Sequence, residues 1–182
     1  MTDNDKQDIL RYKEIINMDV DDTSLEDMEV FLSFKIENKW WLVDLSDISG
    51  TSLLSSISKI GRVHPWFIGI SNFRGQVYPV INLQYFITGK EFKINMTKEN
   101  AILSSPKYGL SFAFIIPEMD LMISKNMLNE TKLEDVDPNQ LNSWAKKYWK
   151  NEDDELYIEI DIEKLLTSAE FLNIYENNKV NA

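Results

Sequence analysis

Pro65-Trp66-Phe67-Ile68-Gly69-Ile70-Ser71-Asn72-Phe73-Arg74-Gly75-Gln76-Val77-Tyr78-Pro79-Val80-Ile81-Asn82-Leu83 is the stretch whose reading decides the fold. It holds two of the six glycines, two of the five prolines and one of the three arginines in the chain. Phe67, Ile68 and Ile70 lead in, and Val77, Tyr78, Val80, Ile81 and Leu83 lead out. Between the two apolar runs sits a polar turn, Ser71 through Gly75. Two such runs about a short Asn/Gly-bearing connection predict a β-hairpin. Gly75 supplies the positive φ or the close backbone approach the turn needs. Arg74 is the odd member, because a guanidinium beside a buried strand requires a carboxylate, a carbonyl or a partner surface.

The surrounding chain extends a β-rich reading. Val30, Leu32, Phe34 and Ile36 alternate with Phe31, Ser33 and Lys35, which is strand periodicity. Glu37-Asn38-Lys39 is a turn, and Trp40-Trp41-Leu42-Val43-Asp44-Leu45 is the return strand. The Trp40–Trp41 pair reads as core and edge cover. Residues 52–60 form a loosely patterned crossing segment. Residues 100–105 and 110–116 read as strands about the turn Pro106-Lys107-Tyr108-Gly109. Leu121-Met122-Ile123 is a short strand. Asp137-Pro138-Asn139-Gln140 has a helix-start pattern, with Leu141, Trp144, Ala145 and Tyr148 following at helical spacing. Tyr148-Trp149-Lys150 also fits a strand. Residues 156–160 alternate as a last strand, and residues 161–172 read as a terminal helical segment.

The chain has 182 residues and a net charge of −11, with no cysteine. The length suits one domain or two small lobes sharing a core. The acidic balance disfavours nucleic-acid binding, which draws on clustered Lys and Arg, and disfavours anionic membrane surfaces. No stretch has the length and apolarity of a membrane-spanning helix, so no direct membrane insertion is expected. The polar N-terminus and the absence of cysteine point to the cytoplasm. Residues 1–29 carry ten Asp/Glu against three Lys/Arg. Ile9, Tyr12 and Ile16 predict one short amphipathic helix there, ahead of an acidic linker at residues 19–29. Residues 173–182 read as a flexible tail.

Catalytic chemistry finds no foothold in this pattern. His64 is the sole histidine, beside a proline in a loop. Triad and metal chemistry need partners at recognisable spacing, and none is present. The carboxylates cluster in solvated tails and turns rather than singly inside apolar runs. A different reading places a small ligand in a β-barrel, with Trp40, Trp41 and Trp66 as a stacking platform. It requires a concave pocket lined by those rings.

The hairpin stretch resembles the signature of the CheW-like coupling domains. In that family a Gly, an Asn-x-Arg-Gly turn and a Pro-Val/Ile-x-Asp-Leu strand follow at this spacing. Here they fall on Gly69, Asn72, Arg74, Gly75, Pro79, Val80, Asn82 and Leu83. Phe31-Leu32-Ser33-Phe34 and Val43-Asp44 also sit where the family's opening strands would. One departure stands out. The family's Glu-Ile after the second strand falls on Gly50 and Thr51, so the carboxylate that pairs with the turn arginine is missing. Asp47, displaced by a few residues, is the substitute. The ending, Asp161 with Leu165-Leu166 and then Phe171-Leu172, is similar to the type IV pilus (twitching motility), PilI-like branch.

The resemblance implies a mainly β fold of two small SH3-like five-stranded β-barrels sharing a core, with short N- and C-terminal helices. The domain would span residues 30–172. Lobe one would hold residues 30–90 plus the C-terminal strand, and lobe two residues 91–155. It implies a non-catalytic scaffold that couples a methyl-accepting chemoreceptor to the regulatory domain of a histidine kinase, without a cofactor. Ile48, Gly69 and Arg74 would form the protein-interaction site, with Asn72 and Gly75 shaping the turn. A side chain at Gly69 would push a receptor helix out of the inter-lobe groove.

Overall fold

The computed structural model describes residues 29–54, 56–73, 75–94, 100–109 and 111–174. The short helix expected near the N-terminus and most of the expected C-terminal tail lie outside these residues, as does Arg74. The expected mainly β fold is present, and the helices are short. Two antiparallel hairpins anchor it. β1 (Val30–Ile36) pairs with β2 (Lys39–Asp44) about a turn in which Glu37 takes a φ of 54°. β3 (Ile48–Leu53) comes after a single 3-10 turn, Leu45–Asp47. β4 (Phe67–Phe73) and β5 (Gln76–Asn82) form the predicted central hairpin, with Phe73 opposite Gln76.

The remaining strands are β6 (Asn100–Ser104), β7 (Ala113–Ile116), β8 (Glu118–Ser124), β9 (Asn129–Thr131), β10 (Ala145–Lys150) and β11 (Leu156–Ile160). α1 (Leu83–Thr88) starts directly after β5, because Asn82 Oδ1 accepts from the Tyr85 N–H and caps it. α2 (Ile162–Thr167) is capped by Asp161 and α3 (Ala169–Leu172) by Ser168. The chain in 161–172 is thus helical as its spacing predicts.

The strands sort into two sheets. The first has the order β8-β1-β2-β11-β10-β9, and the second β3-β6-β7-β5-β4. These are sheets of six and five strands and not two closed five-stranded barrels. In the second sheet the chain after β3 returns to the far edge, where Ser58 bridges Ile70 of β4. Residues 30–44 pair with the strands of 118–160, and residues 48–116 carry the second sheet by themselves. The opening hairpin joins the closing strand through the parallel pairing of β2 with β11. Sheet membership is set by pairing between strands far apart in sequence, and short apolar runs carry little information about it.

Residues 141–147 correct the helical expectation, while Tyr148-Trp149-Lys150 lie in a strand, as their pattern also allows. After Asp137 caps one 3-10 turn, Pro138–Gln140, the chain leaves helical geometry, and β10 pairs on both sides with β11 and β9. Tertiary pairing overrides the helical spacing of Leu141, Trp144 and Tyr148.

One apolar cluster joins both sheets. Leu32, Phe34 and Trp41 enter it from the first sheet, and Ile81, Ile102 and Phe114 from the second. Phe171 of α3 sits at its aromatic centre. Its ring lies 4.9 Å from Phe112, 5.5 Å from Phe86 and 5.6 Å from Trp66. The C-terminal helix is therefore a core element. Just beyond it, the Ile174 carbonyl accepts from the His64 N–H at 2.9 Å and fastens the end of α3 to the loop before β4.

Candidate functional site

Register brings most of the sequence-predicted residues to one end of the second sheet. Gly69 lies opposite Val80, Val80 beside Ala113, Ala113 opposite Leu103, and Ser104 opposite Ile48. The hairpin tip and the β6–β7 connection both extend past that level. Ile48 and the Asn72–Gly75 turn therefore share an end of the sheet, on its two opposite edge strands.

The turn is built by its own side chain. The Gly75 N–H donates to Asn72 Oδ1 at 2.9 Å, and Gly75 takes a φ of 86°. That φ favours glycine. Asn72 and Gly75 are exposed, and Val77, opposite Asn72, is 62% exposed. Val77 thus stands as an open apolar side chain at the hairpin end, which the sequence reading uses only as part of a strand. Ile48 is half-buried and packs against the shared core.

Gly69 has a different setting from the one expected. It is buried, with a φ of 141°. A Cβ built there would lie 2.3 Å from the Ser58 carbonyl oxygen and 2.7 Å from Ile57 Cγ2. The Ser58 N–H donates to the Ile70 carbonyl (2.8 Å), and the Ile70 N–H to the Ser58 carbonyl (3.0 Å). Ser71 Oγ donates to the Ser56 carbonyl at 2.5 Å. The space in front of Gly69 is thus taken by residues 56–58 of the same chain, which cover the β4 edge.

Asp47 has its own partners as well. It is 6% exposed, and its Oδ1 accepts from Lys107 Nζ and from the Tyr108 hydroxyl, each at 2.6 Å. The Ser105 N–H donates to the Asp47 carbonyl at 2.8 Å. Asp47 therefore pins the β6–β7 connection to the start of β3, next to Ile48. Burial pushes the Tyr108 hydroxyl well above the usual tyrosine range, and the hydrogen bond to Asp47 and its charge add to this. The Pro-Lys-Tyr-Gly turn is legible in the sequence. Its bond to Asp47, sixty residues away, is not.

The tryptophans do not assemble a platform. Trp41 and Trp66 are buried in the shared core, while Trp40 points to the other face of β2 and stacks on Tyr157 at 6.0 Å. A Lys35 ammonium covers Trp40, 4.6 Å from the ring centroid. His64 lies flat against Trp66 at 5.8 Å. Among the described residues, no group of three or more His, Cys, Asp or Glu side chains is arranged to hold a metal. No helix there is long and apolar enough to cross a membrane.

Comparison with known proteins gives three findings. The family model of the CheW-like domain matches residues 30–170. No curated protein sequence matches the chain. Among solved structures, the scaffolding protein TtCheW from Thermoanaerobacter tengcongensis is similar, with a TM-score of 0.62. That pair is 20% identical, covering 79% of this chain and 95% of the other. At this identity the likeness concerns the fold.

Proposed function

Because the chain belongs to the CheW-like domain family, we propose that it is a non-catalytic adaptor coupling a chemoreceptor to a histidine kinase in a chemosensory array. The observation that carries this reading is the family match across residues 30–170, realised as two sheets on one shared core. An adaptor works by shaped surface. This chain presents edge strands, the exposed Asn72 and Gly75 of the hairpin end and half-buried Ile48, features suited to pairing with a second β-domain or to receiving an apolar helix face.

The contact surface in this reading is the end of the second sheet: Ile48, the Asn72–Gly75 turn with Arg74, and Val77. Gly69 contributes by admitting residues 56–58 and so shaping the edge behind the turn. The kinase regulatory domain and the receptor signalling tip are the two partners, and the cytoplasm is the compartment. The Trp66–Phe67 pair ahead of Gly69 and the Asp161, Leu165-Leu166, Phe171-Leu172 ending support a place in a twitching-motility system.

The test is reconstitution with the receptor tip and kinase from neighbouring reading frames. The protein is expected to co-elute with each and to bring kinase activity under receptor control. Failure to bind either partner overturns the reading.

A further inference from the structure

A depression lies away from that end, on the first sheet beside β9 and β10. Leu133, Leu141, Ala145 and Tyr148 give it an apolar floor, and Lys132, Lys146, Lys147 and Lys164 stand around it. Leu133 is 63% exposed and Leu141 is 42% exposed. Lys146 pairs with Glu159 (3.1 Å), Lys147 with Glu130 (2.6 Å) and Lys132 with Glu134 (3.7 Å). Lys164 Nζ donates to the Ser143 carbonyl at 2.7 Å. Glu130 and Glu134 lie on its lining and Glu159 pairs with Lys146 behind it, so four lysines face three glutamates, a small positive surplus in a chain of net charge −11.

The chain ahead of β1 has the complementary chemistry and begins beside this site. Residues 1–28 hold nine Asp/Glu against three Lys/Arg, with Ile9, Tyr12 and Ile16 interleaved. Phe31 lies opposite Asp44, β2 runs parallel to β11, and Ile160 lies opposite Ala145. The start of β1 and the start of β10 therefore share one end of the first sheet. Three strand spacings separate them, roughly 14 Å. A 28-residue chain reaches several times farther.

The connection is already charged in the right sense. Glu29 pairs with Lys125, whose N–H also donates to the Glu29 carbonyl at 2.9 Å. Lys125 holds the Glu29 carboxyl below the usual range, and Lys147 and Lys146 reach it as well.

We propose that residues 1–28 fold back in cis and occupy this depression, with their apolar side chains on Leu133 and Leu141 and their carboxylates among the four lysines. The site is independent of the adaptor surface, and the proposal does not rest on the adaptor reading. A partner that needs the Leu133–Leu141 face must displace the chain's own acidic segment, and salt loosens that segment.

Zero-length carbodiimide crosslinking of the full chain tests it, using a dilute mixture of isotope-labelled and unlabelled copies. Crosslinks from carboxylates within residues 3–27 are expected to concentrate on Lys132, Lys146, Lys147 and Lys164 of the same copy. They should fall several-fold in 1 M salt, where the screening length is about 3 Å. The exposed pair L133S/L141S removes the floor and keeps the charges, and it is expected to lower the same crosslinks several-fold. Crosslinks spread evenly onto distant lysines such as Lys59 and Lys93, crosslinks joining two copies, or an L133S/L141S yield equal to wild type would each overturn the proposal.

Discussion

Gly69 and Ser58 meet backbone to backbone: a Cβ on Gly69 would stand 2.3 Å from the Ser58 carbonyl oxygen, and Ser58 exchanges two backbone hydrogen bonds with the next residue, Ile70. This contact converts an open edge of the second sheet into a covered one. It also moves Gly69 from the outer surface of the domain to its interior wall. The glycine is needed because the chain's own segment passes so near.

Gly69→Ala is therefore expected to destabilise the fold. A left-handed-side φ and an unavoidable clash with main-chain atoms together cost on the order of 2–4 kcal/mol. Urea unfolding measures it. A midpoint equal to wild type would mean that residues 56–58 do not hold this position in solution.

Asp47 holds two donors on one nearly buried oxygen. Asp47→Ala leaves the Tyr108 hydroxyl and the Lys107 ammonium without their acceptor, at a cost of about 1–3 kcal/mol. Hydrogen exchange should rise first in the β6–β7 connection. Unchanged exchange at residues 105–109 would show that the pin carries no load.

Tyr108 gives the fold an alkaline signature. Its folded-state pKa is raised, by burial first and then by Asp47. Stability from this group is complete below the unfolded value of about 10 and is lost as pH rises through the higher folded value. Tyr108→Phe should flatten the fall in stability above pH 10 relative to wild type. Parallel curves for the two proteins would place the hydroxyl in solvent.

Phe171 ties the terminal helix to three rings, Trp66, Phe86 and Phe112, of the stretch that carries the second sheet. Phe171→Ala is expected to cost about 3–5 kcal/mol, measured as a drop in thermal or denaturant midpoint. A loss under about 1 kcal/mol would show α3 to be an appendage.

The sequence carries the local geometry well where side chains enforce it. The Asn72 and Gly75 pair, the alternation of residues 30–36 and the helical spacing of residues 161–172 are all local, and each lies where its pattern predicts. β3 escapes a sequence reading because Ile48-Ser49-Gly50-Thr51-Ser52-Leu53 has a glycine and little alternation. Its pairing with β6 makes it a strand. α1 escapes because six residues show less than two turns of period, and only the Asn82 cap marks them. In the site, the turn is legible from its own residues. The filling of the space before Gly69 and the Asp47–Lys107–Tyr108 cluster depend on contacts between distant segments, which no spacing rule encodes.

The central claim is that the end of the second sheet is held by another protein, and Val77 tests it most directly. Its side chain is open beside the turn, so Val77→Asp should leave stability within about 0.5 kcal/mol of wild type. Titration calorimetry against the kinase regulatory domain and the receptor signalling tip should show one of the two affinities falling roughly tenfold or more, about 1.4 kcal/mol. Wild-type affinity for both partners in a normally folded V77D protein would contradict the account.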